Sequence, residues 1–372
     1  MRYYFVTEIL NERVVKLCLA LKIKGHECVC IYLHNKKSQN FSELELNLIK
    51  LNNPSEISSY LRKAKPKLIH LYSFGFDATC LEIINNLCCK LIYEPKDVFK
   101  GVMNLNIPQE IQEGQIALLE HSDGIVFRDF QPHLCAKENN ISLSKNRLYL
   151  PDLCWPEILN FKRKISFREK NDDKIKLVFA GNFYLEKQNP EYATAGIIHI
   201  LREVVKQGFE VHLYPFLHNN LEFTDAFIEY NQLELNNENF TIHKALDPIN
   251  LINEYQKYDF GCHMFQGEHF HGLPTPYEHK EFGKYGVSAR IFDFIAAGIP
   301  LVNSSSFKLI NRLLYKRNCN IIVKGDELKL LHNKLINIYY NTIKLSTIYT
   351  SYKLRIDKRI NRLLEFYKKV LE

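Results

Sequence analysis

No stretch of the sequence reaches about 18 consecutive apolar residues, the length a helix needs to cross a bilayer, so no membrane-spanning helix is expected. There is no Cys-x-x-Cys pair and no Cys/His cluster at finger spacing, which excludes the common structural zinc sites. No Gly-x-Gly-x-x-Gly follows a strand-like run, so the usual fingerprint of a dinucleotide-dependent dehydrogenase is missing. No repeat of short fixed period is visible. No dense stripe of basic and aromatic residues appears, and no nucleic-acid partner is expected. Met1 to Leu10 carries Glu8 and lacks a small-residue cleavage site, so it reads as a first strand and not as a signal peptide.

What is present is a soluble globular composition: 46% hydrophobic and 24% charged residues over 372 positions. That length predicts two domains of about 200 residues or less each. Ten cysteines are scattered without pattern, and Cys18, Cys28, Cys30, Cys80 and Cys88 sit in apolar runs as small core hydrophobes would. Unpaired cysteines of this kind fit a reducing, cytoplasmic compartment. The net charge of +7 favours anionic partners such as a nucleotide diphosphate, an acidic glycan or an anionic lipid surface, against the plainer reading of a solvated mixed surface.

Short apolar runs alternate with helical patterns. Strands are expected at Tyr3–Val6, Glu27–Leu33, Lys67–Tyr72, Lys90–Glu94 and Gly124–Phe127, and helices at Asn11–Ile23, Ala78–Leu87 and Pro108–His121. Lys24-Gly25 reads as a helix C-cap. The rhythm breaks between Leu153 and Asp173 and restarts with strands at Ile175–Ala180, Glu210–Tyr214, Phe240–His243, Tyr258–Met264, Ile299–Asn303 and Asn320–Val323. The helices expected there are Ala193–Gln207, Asp247–Lys257 and Ala289–Ala297. Such alternation predicts an α/β chain with two tandem doubly wound, Rossmann-like domains facing a cleft. The boundaries are 1–155, a linker at 156–173, 174–350, and a C-terminal helix at 351–372 packing back on the body. That last helix has an apolar stripe (Leu354, Ile360, Leu363, Leu364, Tyr367, Leu371) among Lys and Arg. A basic amphipathic helix lying on a membrane is the alternative for it.

The chemistry concentrates at Gly286-Val-Ser-Ala-Arg-Ile-Phe-Asp-Phe-Ile-Ala-Ala-Gly-Ile-Pro-Leu-Val302. Gly286, Val287 and Ser288 lie where a helix begins, and its free N–H groups suit a phosphate. Arg290 in the first turn can clamp the same diphosphate. Asp293 follows one turn later on the same face, where a carboxylate can accept from ribose hydroxyls. An Arg–Asp surface pair of little energetic weight is the bland alternative.

This segment resembles the signature of GT-B glycosyltransferases of the glycogen-synthase-like group, which includes many bacterial polysaccharide enzymes. There an acid five positions before the glycine holds the nucleotide ribose, and Asp293 stands at that place before Gly298. Asp replaces the usual Glu, and Tyr285 stands where fuller forms of the motif carry a second acid. Lys90–Val98 resembles the strand that often ends in His-Asp, with Lys96 in place of the His and Asp97 retained. Leu177–Asn182 resembles the strand opening the C-terminal domain, with Asn182 for the common Arg and Lys187 as the following Lys. The resemblance implies transfer of a sugar from a nucleotide-sugar donor to a glycan or lipid-linked glycan, in bacterial surface polysaccharide synthesis. It implies no cofactor and no essential metal.

Asp97 and Glu94, at the carboxyl end of their strand, are the candidate general bases of an inverting reaction, against the reading that they only cap the following loop. Gly181 lets backbone approach the nucleotide, and His243 ends a strand where the base commonly lies. Lys96, Glu8, His269 and His271 are candidate donor or acceptor contacts. The two histidines with Glu268 also tempt a metal reading, which is set below an ordinary or substrate-touching loop. A nucleotide-sugar epimerase of the same architecture and a non-catalytic glycan-binding subunit are the competing functions. Peripheral membrane association is the second reading for location. Donor, base, acceptor and stereochemistry stay open.

Overall fold

The structure, a computed structural model, describes residues 2–33, 41, 44–73, 79–80, 87–98, 108–159, 174–181, 197–215, 228–264 and 284–372. They fall into two compact units. The first comprises Met1–Leu159, Tyr285–Val287 and Leu354–Glu372, and the second Asn160–Lys284 and Ser288–Lys353. The helix expected over Ala78–Leu87, apart from residues 79, 80 and 87, and the linker expected over 156–173, apart from residues 156–159, lie outside the described residues.

The first unit has seven strands: β1 (Arg2–Thr7), β2 (Glu27–Leu33), β3 (Asn47–Leu51), β4 (Leu68–Ser73), β5 (Lys90–Pro95), β6 (Gly124–Phe127) and β7 (Arg147–Tyr149). They form one sheet in the order β3-β2-β1-β4-β5-β6-β7, every neighbour parallel. The helices between them are α1 (Glu12–Ile23), α2 (Pro54–Ala64), α3 (Gln109–His121) and α4 (Gln131–Asn139). Parallel strands need such crossovers and are covered on both faces, which is why β4 and β6 read as unbroken buried runs. α1 starts because the Asn11 side chain accepts from the Val14 N–H, and it stops at Lys24 before Gly25 at φ +78°. Of the cysteines in apolar runs, Cys18, Cys28, Cys30 and Cys80 are buried, but Cys88 is exposed, because its run ends at the surface before β5.

The second unit has six strands: β8 (Lys176–Gly181), β9 (Glu210–Pro215), β10 (Phe240–Ile242), β11 (Phe260–His263), β12 (Leu301–Ser304) and β13 (Asn320–Val323). Their order is β10-β9-β8-β11-β12-β13, again all parallel. The helices are α5 (Ile198–Lys206), α6 (Ile228–Leu235), α7 (Pro248–Tyr255), α8 (Arg290–Ala297), α9 (Lys308–Leu314), α10 (Leu331–Ile336) and α11 (Tyr340–Lys353). The chain is thus α/β, two parallel sheets with helices on both faces. A last helix, α12 (Ile360–Leu371), belongs to the first unit. Its Ile360, Leu363 and Tyr367 are fully buried, while Leu364 and Leu371 are half-buried.

The position of α8 over β11 depends on one missing side chain. A Cβ on Gly261 would lie 2.4 Å from Cγ of the buried Phe294. Gly261→Ala is therefore expected to cost the second unit about 1–3 kcal/mol, the usual range for overpacking a closed contact. Urea unfolding measures it, and an unchanged midpoint would show that Phe294 yields freely.

Candidate functional site

In an open parallel sheet a ligand is expected beyond the carboxyl ends of the strands where the winding order reverses. In the second unit that point falls between β8 and β11. β8 ends at Gly181, whose φ of +138° only glycine adopts without strain. A Cβ there would meet nothing within 4 Å, so backbone conformation and not crowding requires the glycine. β11 ends at His263. Its Nδ1 lies 3.1 Å from Asn303 Oδ1, and Asn303 in turn donates through Nδ2 to Asn311 Oδ1 at 2.7 Å. That second bond turns the Asn303 oxygen toward the ring, so Nδ1 carries the proton and donates. Burial, with Arg290 nearby adding to it, pushes the His263 imidazole down to about 4 despite the Asn303 bond, so the ring is neutral at pH 7.

α8 begins beside this point. No side chain caps Ala289, and the Phe292 N–H donates to the Ala289 carbonyl at 3.0 Å. Arg290 Nη1 lies 3.8 Å from Asp293 Oδ2 and 3.5 Å from the Tyr255 hydroxyl. The Arg290 side chain is 19% exposed and that of Asp293 only 3%. Arg290 is thus the more open of the pair, and Asp293 is the deeper.

Gly286 and Val287 do not sit at the helix start. α8 begins at Arg290, and Tyr285–Val287 belongs to the first unit. The Tyr285 carbonyl accepts from the Phe130 N–H at 3.3 Å. The Val287 N–H donates to the Asp129 carboxylate, which takes it out of the set of free donors. Ser288, half-exposed, remains next to the helix start. The phosphate-binding expectation therefore shifts from Gly286–Ser288 toward Ser288–Ile291.

His243 follows β10. Its backbone N–H donates to the Leu213 carbonyl at 2.8 Å. Its ring stacks on Tyr214 at 4.4 Å and 6°, and its Nε2 lies 2.9 Å from His212 Nδ1. Burial, then His212, lowers the His243 imidazole, so this stack is neutral at pH 7. Lys187, His269 and His271 lie outside the described residues.

In the first unit the reversal falls between β1 and β4, with Glu8, half-buried, just past the end of β1. Lys96 and Asp97 follow β5. Lys96 is half-exposed as a residue, but its ammonium is packed deeply enough that burial lowers it, with Asp97 opposing. Asp97 Oδ1 accepts from Arg128 Nη2 at 2.7 Å, and Arg128 Nη1 donates to the buried Asp152 at 3.3 Å. Asp129, beside them, is buried and pushed up to about 7 by that burial.

Glu94 is not a general base. It is fully buried, with Oε1 accepting from Arg13 Nε at 2.7 Å. His70 Nε2 lies 3.0 Å from Oε2, off the hydrogen-bond axis. Burial raises the Glu94 carboxyl, but Arg13 and His70 outweigh it and hold it below the usual range. A carboxylate so paired and wholly buried is a poor proton acceptor. The sequence reading missed Arg13, His70, Arg128 and Asp129, which are separated from their partners along the chain and carry no local motif.

Among the described residues, no group of three or more His, Cys, Asp or Glu could hold a metal ion. No helix among them is long and apolar enough to cross a membrane.

No family model matches the sequence, and no curated protein matches it. Solved structures do match. A glycosyltransferase from Rickettsia africae superposes with TM-score 0.69 at 12% identity, over 100% of this chain and 99% of that one. Sucrose-phosphate synthase from Thermosynechococcus elongatus gives 0.68 at 12%, over 100% and 99%. Anabaena HepE, in complex with UDP, gives 0.67 at 12%, over 99% and 100%. A putative UDP-N-acetylglucosamine 2-epimerase from Listeria monocytogenes shares the fold at TM-score 0.58 and 11% identity, over 99% and 96%. At these identities the likeness is one of fold, and the fold is the two-sheet GT-B architecture of these glycosyltransferases.

Proposed function

We propose that the chain is a nucleotide-sugar-dependent glycosyltransferase that passes a sugar to a glycan or lipid-linked glycan, in bacterial surface polysaccharide synthesis. The observation that carries this reading is the Arg290–Asp293 pair in the uncapped first turn of α8, beside the winding reversal of the second sheet. Helix N–H groups and the Arg290 guanidinium take the diphosphate, and Asp293 takes the ribose. Gly181 gives the nucleotide room, and the Tyr214–His243 stack lies toward the base. As the glycosidic bond breaks, charge builds on the leaving diphosphate, and Arg290 stabilises it there. The reading includes no metal and no cofactor. Asp97 is the remaining candidate base, with Lys96 and Glu8 as contacts to donor or acceptor.

Calorimetry with UDP and GDP tests the nucleotide site. Asp293→Ala is expected to weaken binding by about 1.5–3 kcal/mol, the range for hydrogen bonds to a charged group. Arg290→Ala is expected to lower turnover more than it raises KM, because its charge counts most in the transition state. Unchanged affinity in Asp293→Ala would remove the ribose assignment. The shared epimerase fold favours a second reading, which product analysis separates. A transferase releases the free diphosphate and labels the acceptor, whereas an epimerase returns a nucleotide sugar inverted at one carbon.

A further inference from the structure

The outer surface of the second unit carries a feature that nucleotide transfer does not use. Between Asp293 and Asp357 the only acids are Asp326 and Glu327, with five lysines or arginines on either side of them. Glu327 is occupied by Lys334 Nζ at 2.8 Å and by the Lys324 N–H at 3.0 Å. The stretch that builds α9, the turn into β13, and α11 is therefore basic with little to offset it.

Large apolar and aromatic side chains stand out among those charges. In α11, Leu345, Tyr349 and Tyr352 share one helix face by spacing, and they are 48%, 62% and 50% exposed. The opposite face of the same helix is anchored, with Lys344, Thr347, Thr350 and Ser351 buried. Tyr315, at the end of α9, is 79% exposed. One shallow groove is lined by Tyr315, Lys316, Arg317 and Ile322 among others, and a second by Lys316, Arg317, Leu345 and Tyr349 among others. Lys316 and Arg317 line both, so the α9 turn and the α11 face form one continuous surface.

A surface of clustered exposed apolar groups marks an interaction site. Its chemistry selects among occupants. Tyrosine rings favour the level of lipid headgroups, and lysines and arginines near an anionic leaflet are attracted to it. Single-stranded nucleic acid would instead use the rings as stacking platforms. Here Lys353 Nζ already lies over the Tyr349 ring, 5.1 Å from its centre, so one face of that ring is taken. Leu345 and Ile322 offer a base no stacking partner but suit an acyl boundary.

We propose that this face docks the protein onto an anionic lipid surface. It is distinct from α12, whose apolar stripe points inward and whose exposed Lys368 stands beside Glu372. The proposal does not rest on the glycosyltransferase reading.

Sedimentation with phosphatidylcholine vesicles, with and without about 30% phosphatidylglycerol, tests it. The protein is expected to pellet with the anionic vesicles only, and less as salt rises. The K316E/R317E double variant is expected to lose about tenfold or more in partition, since each basic group near the surface contributes several-fold. Y315S/Y349S is expected to weaken binding several-fold at both low and high salt. K368E/K369E is expected to leave it unchanged. All these positions are at the surface, and circular dichroism and urea unfolding check that each variant is folded. Equal binding to neutral vesicles, no binding to anionic ones, or binding undiminished by K316E/R317E overturns the proposal. So does tighter binding of a single-stranded RNA oligonucleotide that is lost in the same variant and displaces the vesicles.

Discussion

Replacing Arg13 by alanine is expected to cost the first unit about 3–5 kcal/mol of unfolding free energy, because it strips one partner from a buried charge pair. Arg13 spends every branch of its guanidinium inside the protein. Nε donates to Glu94 at 2.7 Å, Nη1 to the Pro151 carbonyl at 2.9 Å, and Nη2 to the Leu150 carbonyl at 2.8 Å. Asp152 lies 3.6 Å from Nη1. Truncation leaves Glu94, which is wholly buried, with His70 Nε2 at 3.0 Å as its remaining polar neighbour. A surface ion pair would be worth less than about 1 kcal/mol, so the predicted size itself reports the burial. The pH dependence has a definite sign. Glu94 is held below the usual carboxylate range in the folded state, so its contribution is present above the unfolded value and is lost as pH falls through the depressed one. In Arg13→Ala burial is no longer outweighed and Glu94 takes a proton at higher pH. The gap between wild type and variant should therefore be widest near pH 7 and narrow toward acid. Urea unfolding across that range measures both. A gap under about 1 kcal/mol at pH 7 would mean that water reaches Glu94 and replaces the guanidinium.

What the sequence revealed and what it hid divide along physical lines. β2 and β6 fall at the residues expected, Glu27–Leu33 and Gly124–Phe127, because strands inside a parallel sheet are nearly unbroken apolar runs. β3 and α2 were not anticipated. β3 is an edge strand with no buried residue, and α2 buries only Ile57 and Leu61, so neither leaves a clear period. Arg290 and Asp293 were legible as a pair because both stand on one helix face. The occupation of the Val287 N–H was not, because its acceptor Asp129 comes from far earlier in the chain. Glu94 shows the same limit: its partner Arg13 is 81 positions away, and no local pattern marks a carboxylate as already paired. His263 and Asn303, 40 positions apart, meet only because β11 and β12 are neighbours. Local motifs carry helix-face geometry, whereas buried polar networks are properties of the assembled sheet.

Removing α12 is expected to abolish folding of the first unit altogether. The helix buries Ile360, Leu363, Phe366, Tyr367 and Val370, each at 6% exposure or less. At about 1.5–3 kcal/mol for each buried side chain of this size, their loss amounts to about 8–15 kcal/mol, as large as the whole stability of an ordinary domain. The docking is specific as well as apolar. The Tyr367 hydroxyl meets His70 Nδ1 at 2.5 Å and its ring packs on Tyr3 at 4.9 Å, which ties the helix to β4 and β1. A Cβ on Gly124 would lie 2.7 Å from Phe366 Cζ and 3.1 Å from Val370 Cγ2, so α12 lies closer to β6 than any side chain there would allow. The helix is thus the outer cover of the sheet, in spite of the lysines and arginines on its other face. A chain ending at residue 359 should show early proteolysis throughout the first unit and no cooperative transition there. Leu363→Ala gives a graded version and is expected to cost about 2–5 kcal/mol, with the exact value set by how far the site collapses. A truncated chain that still unfolded cooperatively in its first unit, together with a Leu363→Ala cost under about 1 kcal/mol, would mean that α12 is an appendage and not part of the core.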